Sequence, residues 1–203
     1  LLLVEHDPVV TLGRSTKAES LPIPPAELPA RGVEVFEIER GGDVTFHGPG
    51  QLVGYPIIDL APIRPDLHWY LRELEGGLID ALATLGIAAG RNPGFTGVWV
   101  GPRKVASIGV HVKRWVTLHG FALNVTTDLG WFDLIVPCGI AGVEMTSVAR
   151  ELARAGRSAD GVTSAVSTAA VEAFGRRFGR RPAARTLAEV TRNLPALAGV
   201  LPV

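Results

Sequence analysis

Residues 95–125 read FTGVWVGPRKVASIGVHVKRWVTLHGFALNV. Within them Phe95 to Val100, Lys104 to Val112 and Val116 to Val125 are rich in β-branched and aromatic residues and read as three strands. The last two are set to form a hairpin turning near Lys113-Arg114. Working outward, strands are expected at Leu1 to His6, Pro8 to Leu12, Val33 to Ile38 and Leu52 to Leu60. Leu67, Leu71, Leu74, Leu78, Leu82 and Leu85 recur at spacings of three and four, which predicts a helix over 66–85 capped by Asp66. Gly76-Gly77 in its middle implies a kink or close packing. Helices are also expected over 145–155, 163–178 and 187–194, the last cut by Pro195. Strands and helices mix without regular alternation, so the fold class is α+β and not a doubly wound sheet.

The connector 20–30 carries Pro22, Pro24, Pro25 and Pro29 and can be neither helix nor central strand. With 203 residues, 47% of them apolar, the chain can bury a full core. Twenty basic residues balance twenty acidic ones, which argues against the strongly basic face of a nucleic-acid binder. No apolar run approaches the ~18 residues of a membrane span. Leu1-Leu2-Leu3-Val4 has no basic flank and breaks at Glu5, so it reads as a strand under way and not as a signal peptide. One cysteine permits neither an internal disulfide nor a Cys-based zinc site, and fits a reducing cytoplasm. No HxH or HxxxH spacing suggests a metal site, and no cofactor is expected. The expected organisation is one domain over 1–203. The Arg/Ala-rich stretch 175–185 sets off a C-terminal appendage at 180–203.

Three segments have the composition of a site. Residues 40–51, RGGDVTFHGPGQ, place four glycines and a proline among Arg40, Asp43, Thr45, His47 and Gln51, so the backbone can approach a ligand closely. The segment lacks the Gly-Lys-Ser/Thr of a Walker loop and the spacing of a dinucleotide fingerprint. Lys104 is one of only three lysines against seventeen arginines. A lysine can act by losing a proton where an arginine cannot. Strict strand alternation would place Lys104, Ala106 and Ile108 on one side, desolvating the amine. Cys138 sits between Pro137 and Gly139 on a tight turn. Its thiol needs a cationic or basic partner to be nucleophilic at neutral pH, and His47, Lys104, His111 and His119 are the candidates. His119 is expected to make ordinary structural hydrogen bonds, and His6, followed by Asp7-Pro8, to close a turn.

Arg40 to Tyr55, RGGDVTFHGPGQLVGY, resembles the signature of the bacterial lipoyl(octanoyl) transferases of lipoate biosynthesis. Four other stretches resemble that family in order: Glu5 to Thr11, Arg103 to Gly109, His119 to Val125 and Pro137 to Ile140. The resemblance covers roughly residues 1–150. The family's further N-terminal segment is expected to be missing here, and nothing diagnostic follows Arg150.

The resemblance implies a mixed β-sheet flanked by helices, similar to the biotin and lipoate protein ligase fold. It implies transfer of an octanoyl group from octanoyl-acyl carrier protein to a lysine of a lipoyl domain through a Cys thioester. The acceptors would be the lipoyl domains of 2-oxoacid dehydrogenase complexes and the glycine cleavage H protein. Cys138 would be the nucleophile and Lys104 its acid/base partner. The acyl site would be lined by Arg40, Gly41, Gly42, Asp43, Val44, Thr45, Phe46 and His47, by Ser107, Ile108 and Gly109, and by Gly120, Phe121 and Ala122. A basic cluster of Arg40, Arg91, Arg103, Lys113 and Arg114 is expected to steer acidic carrier domains. The competing readings are an ATP-dependent lipoate ligase on the same fold, in which Cys138 is incidental, and a non-catalytic acyl-binding module.

Overall fold

A computed structural model describes residues 1–140 and 142–192. Its strands are β1 (Leu2–Val4), β2 (Val9–Leu12), β3 (Glu34–Glu37), β4 (Thr45–His47), β5 (Gln51–Tyr55), β6 (Gly90–Asn92), β7 (Phe95–Val100), β8 (Arg103–Lys113) and β9 (Val116–Asn124). Its α-helices are α1 (Leu67–Thr84), α2 (Val148–Arg154), α3 (Val162–Arg177) and α4 (Leu187–Thr191). The larger sheet has the order β1-β5-β9-β8-β7-β6, with every neighbouring pair antiparallel. The smaller has the order β3-β2-β4, parallel between β2 and β3 and antiparallel between β2 and β4. The expected mixed sheet is therefore resolved into two, and only the small one mixes strand directions. The proline-rich connector makes short 3-10 turns and neither an α-helix nor a strand, two of them beginning at Pro25 and Pro29.

Helices α1 and α3 cover one face of the large sheet. Leu74, Leu78 and Leu82 join Val166, Ala170 and Phe174 over Leu52, Val98, Ala106 and Leu123. Asp66 caps α1 by accepting from the Trp69 amide at 2.9 Å. The paired glycines serve close packing and not a kink, since α1 runs unbroken. A Cβ at Gly77 would lie 3.0 Å from the Phe174 ring. A second core joins the small sheet to the segments on either side of Cys138. Val10, Val44 and Phe46 pack with Phe132, Ile135 and Met145, and the Phe46 and Trp131 rings stack at 5.4 Å.

Several boundaries differ from the sequence reading, each for a local reason. β5 stops at Tyr55 because Pro56 has no N–H to continue the ladder. α2 begins at Val148 because Ser147 caps it and Met145 bridges to Lys104. The glycine-rich segment holds a strand, β4, and β6 was not anticipated. The hairpin turns on Arg114 and Trp115, both left-handed (φ 50 and 64), matching the twist of its strands. The expected appendage at 180–203 lies partly outside the described residues. No helix among those described is long and apolar enough to cross a membrane.

The glycine-rich loop lies directly on the large sheet. The Gly41 amide donates to the Val110 carbonyl at 2.9 Å. A Cβ at Gly109 would lie 2.8 Å from the Gly41 carbonyl oxygen. At Gly54 a Cβ would run into the Phe121 ring, which is stacked on Phe174 with centroids 5.2 Å apart. Gly54→Ala must therefore push Phe121 out of that stack. The expected cost is about 1–3 kcal/mol, typical of an overpacked core, read as a lower urea midpoint with an unchanged slope.

Candidate active site

Cys138 and Lys104 meet across the junction of the two sheets. Lys104 Nζ lies 3.2 Å from Cys138 Sγ, and Ser107 Oγ lies 3.6 Å from the same sulfur. Cys138 occupies the left-handed region (φ 58, ψ 20), which few non-glycine residues adopt. Its amide donates to the Val44 carbonyl at 3.0 Å, and the Val136 amide donates to the Ser20 carbonyl at 2.9 Å. Gly139 follows at positive φ, and a Cβ there would strike the Asp43 carboxylate. The turn fits only because that side chain is absent. The Gly139 and Ile140 amides also donate within the turn, so this glycine-flanked turn has no amide of Cys138, Gly139 or Ile140 left for an oxyanion. Ser107 and Lys104 are the donors beside the sulfur.

Lys104 is 1% exposed. Its amide donates to Glu144 O at 2.8 Å, and its carbonyl accepts from the Thr146 amide at 2.9 Å. Lys104 and Ser107 both reach the thiol, which strict alternation forbids. The β7–β8 register explains it. Trp99 pairs with Lys104 but Val98 with Ala106, so Val105 is an extra residue and the phase of β8 shifts. Ala106 points into the helix-covered core instead of sharing the face of Lys104, contrary to the simple strand reading. The ammonium also sits 5.5 Å from the centroid of the Trp99 ring, within cation–π range. Behind it, Gly97 has φ +132, and a Cβ there would lie 2.8 Å from Lys104 Cε. The fully buried Glu75 accepts from the Gly97 amide at 3.1 Å, and from Arg72 and Arg91 at 2.6 and 2.8 Å.

Arg40 supports the opposite wall. Its guanidinium donates to Thr11 O at 2.6 Å and to Asp43 O at 2.5 Å. Burial lowers its pKa, while Cys138 and Asp43 oppose that shift. The Asp43 carboxylate accepts from the Ser20 hydroxyl and the Val44 amide, each at 2.6 Å. Between the sheets runs a cleft of about 830 Å³. Arg40, Gly42, Asp43, Thr45, His47, Lys104, Ser107, Ile108, Gly109, Gly120, Phe121, Ala122 and Cys138 line it. Gly41, Val44 and Phe46 do not. Gly41 and Val44 are engaged through their backbones, and Phe46 belongs to the second core.

Comparison with known proteins gives the chain a family. The model of the lipoyl protein ligase A/B catalytic domain matches residues 1–171. The chain belongs to that family. Within it the curated relatives are octanoyltransferases. That of Geobacter sulfurreducens is 54% identical over 173 residues, covering 85% of this chain and 68% of its own length. That of Myxococcus xanthus is 54% identical over 161 residues, covering 76% of this chain but only 45% of its own length. The chain thus spans about half to two thirds of the relatives it matches. A bipartite lipoate protein ligase of Thermoplasma acidophilum, described with its E2 lipoyl domain, shares the fold. Its TM-score is 0.63 at 19% identity, over 93% of this chain and 75% of that one.

Within the family-like stretches, the cleft also draws on residues to which the sequence reading gave no part in the acyl site. His6 does more than close a turn: its Nε2 lies 2.7 Å from Tyr55 Oη, and both residues line the cleft. His119 lines the cleft as well. Val53 and Tyr55 share a face because they stand two residues apart on β5. The expected basic cluster does not assemble. Arg91 pairs with Glu75, Arg103 makes two 2.8 Å bonds to Glu151, and Arg40 is buried. Lys113 and Arg114 sit at the far end of β8, roughly 30 Å from Lys104 by strand rise. Among the described residues no group of three or more His, Cys, Asp or Glu is placed to hold a metal ion.

Three histidines give the cleft a pH response. Burial holds His47 down to about 4 from 6.5, opposed by its hydrogen bond to Gln51 at 2.8 Å, and burial lowers His6 and His119 too. Below pH 6.5 the unfolded chain takes up a proton that folded His47 refuses until about pH 4. Stability attributable to His47 is therefore full above pH 6.5 and lost as pH falls through that window. With the ring mostly buried, a shift of this size corresponds to a loss on the order of 3 kcal/mol. Urea titrations across the window should show a shallower pH slope in His47→Gln than in the parent.

Proposed function

We propose that this chain carries the catalytic domain of an octanoyltransferase, moving an octanoyl group from acyl carrier protein to a lysine of a lipoyl domain through a thioester on Cys138. The observation that carries the reading is the buried contact between Lys104 Nζ and Cys138 Sγ. An adenylate-forming ligase would use the lysine and leave the thiol without a task, and a binding module needs neither. The octanoyltransferase relatives support the acyl group, and the reading extends to acceptors in 2-oxoacid dehydrogenase complexes and the glycine cleavage H protein. The reaction suits a reducing cytoplasm, where the lone thiol stays free.

In this mechanism Cys138 and Lys104 exist as a thiolate–ammonium pair. The thiolate attacks the thioester carbonyl, and Ser107 and the ammonium face the developing oxyanion. Collapse expels the carrier thiolate, which leaves with a proton from Lys104. Thioester exchange is close to thermoneutral, so no nucleotide is consumed. The acceptor amine then attacks the acyl-enzyme, the now neutral Lys104 takes its proton, and the Cys138 thiolate departs. Amide formation from a thioester runs downhill.

Intact mass spectrometry after incubation with octanoyl-acyl carrier protein tests the covalent step. The parent should gain one octanoyl group, and Cys138→Ser should gain none while keeping its circular dichroism spectrum. Full turnover by that variant would sink the mechanism, and octanoate-dependent pyrophosphate release from ATP would favour the ligase. Lys104→Arg keeps the charge but cannot shuttle a proton at neutral pH. Its single-turnover deacylation should fall at least about 100-fold, close to Lys104→Ala, as for loss of a general base. Near-parental deacylation by the arginine variant would mean that charge alone suffices.

A further inference from the structure

We infer that the cleft sets acyl-chain length by strand spacing: a chain held on Cys138 crosses β9 at Ala122 and ends on β5 at Val53, at the edge strand β1. This rests on the acyl-transfer reading above, and it adds Val53 as the residue that determines specificity.

The ladder registers define the track. Ser107 stands opposite Ala122, and Ala122 opposite Val53. Residues directly opposed in an antiparallel sheet project to the same face, and the 3.6 Å contact from Ser107 to the thiol identifies that face. The intervening residues Ala106, Leu123 and Leu52 point into the core beneath the helices. Val53 and Ala122 are 2% and 4% exposed, yet belong to neither hydrophobic core and line the cleft. They form a buried apolar strip that no described side-chain cluster claims.

Direction follows from exposure. On another side of the cleft Phe36 and Phe95 are 46% and 42% exposed. That side is an open mouth, fit to admit a carrier arm or an acceptor amine and too wet to hide an alkyl tail. Length follows from geometry. Two strand spacings of about 4.8 Å carry the track roughly 10 Å from β8 to β5. The seven C–C bonds of an extended octanoyl group, each advancing about 1.25 Å, reach about 9 Å. Two further methylenes would push the methyl end about 2.5 Å past Val53, toward Val4, the partner of Val53 on the edge strand β1, beside the hydrogen-bonded Tyr55 and His6 that also line the cleft.

The test is a competition among hexanoyl, octanoyl, decanoyl and dodecanoyl coenzyme A, read as acyl-enzyme on the full chain by intact mass. The parent should prefer octanoyl. Val53→Ala should move the optimum to decanoyl, raising the decanoyl-to-octanoyl ratio about tenfold, a fair return for room of this size. Val53→Leu and Ala122→Val should move it towards hexanoyl by a similar factor. Variants that acylate with the optimum still at octanoyl, or that slow equally for every length, would overturn the inference. In parallel, alkyl methanethiosulfonates of the same lengths label Cys138 by forming a disulfide and expelling methanesulfinate, with no acyl chemistry. Their rates should follow the same shifts. If no thioester acylates the parent while labelling still tracks length in the same three variants, the transfer reading falls and the strand rule stands. Labelling independent of length would overturn the rule.

Discussion

A lysine amine with almost no access to water faces a single sulfur at 3.2 Å, and the rest of the molecule is arranged around that contact. Burying an amine of this kind costs several kcal/mol unless it is paired, so the sulfur and the Trp99 ring face have to be in place when the chain folds. The two partners come from different layers. Lys104 belongs to the six-stranded sheet, and Cys138 hangs from the small sheet through the Val44 carbonyl. Each also occupies a backbone position that ordinary secondary structure would not supply: one beside a bulge, the other in a left-handed turn.

Glycines make that meeting sterically possible at a few defined points. Gly109 lets the Arg40-Gly41 loop rest on β8, Gly139 leaves room for the Asp43 carboxylate, and Gly97 lets the aliphatic stem of Lys104 pass over β7. The charged groups around them are nearly all committed elsewhere. Arg40 braces Thr11 and Asp43, Glu75 holds the Gly97 amide, and Glu151 holds Arg103. The cleft is therefore rigid in its polar frame and apolar along its floor, a combination that suits a reactive head group with a plain hydrocarbon tail.

Much of this was legible in the chain. Leucine spacing and Asp66 marked α1, β-branched runs marked β7 to β9, and the motif residues marked most of the cleft wall. What escaped has a common physical cause: it depends on partners distant in sequence. The extra residue at Val105 exists only relative to Trp99 and Val98 on the neighbouring strand, so alternation along β8 alone put Ala106 on the wrong face. β4 and β6 are three-residue strands that hold their conformation only because β2 and β7 pair with them. His6 looked like part of a turn because nothing nearby in sequence announces Tyr55. The basic cluster failed for the same reason, since proximity in sequence said nothing about which arginines already had carboxylates.

The division into two cores has a bearing on how such an enzyme would lose activity. The thiol turn is moored to the small sheet by the Cys138–Val44 and Val136–Ser20 hydrogen bonds, and that sheet has its own modest hydrophobic cluster. Local opening of such a unit takes less free energy than global unfolding. Opening it alone would carry the sulfur away from the amine while α1, α3 and the large sheet stayed intact. Thiol and amine would be separated in the same event, in a largely native molecule. Amide exchange at Cys138 and loss of turnover would then report one shared equilibrium, well below the melting of the main core.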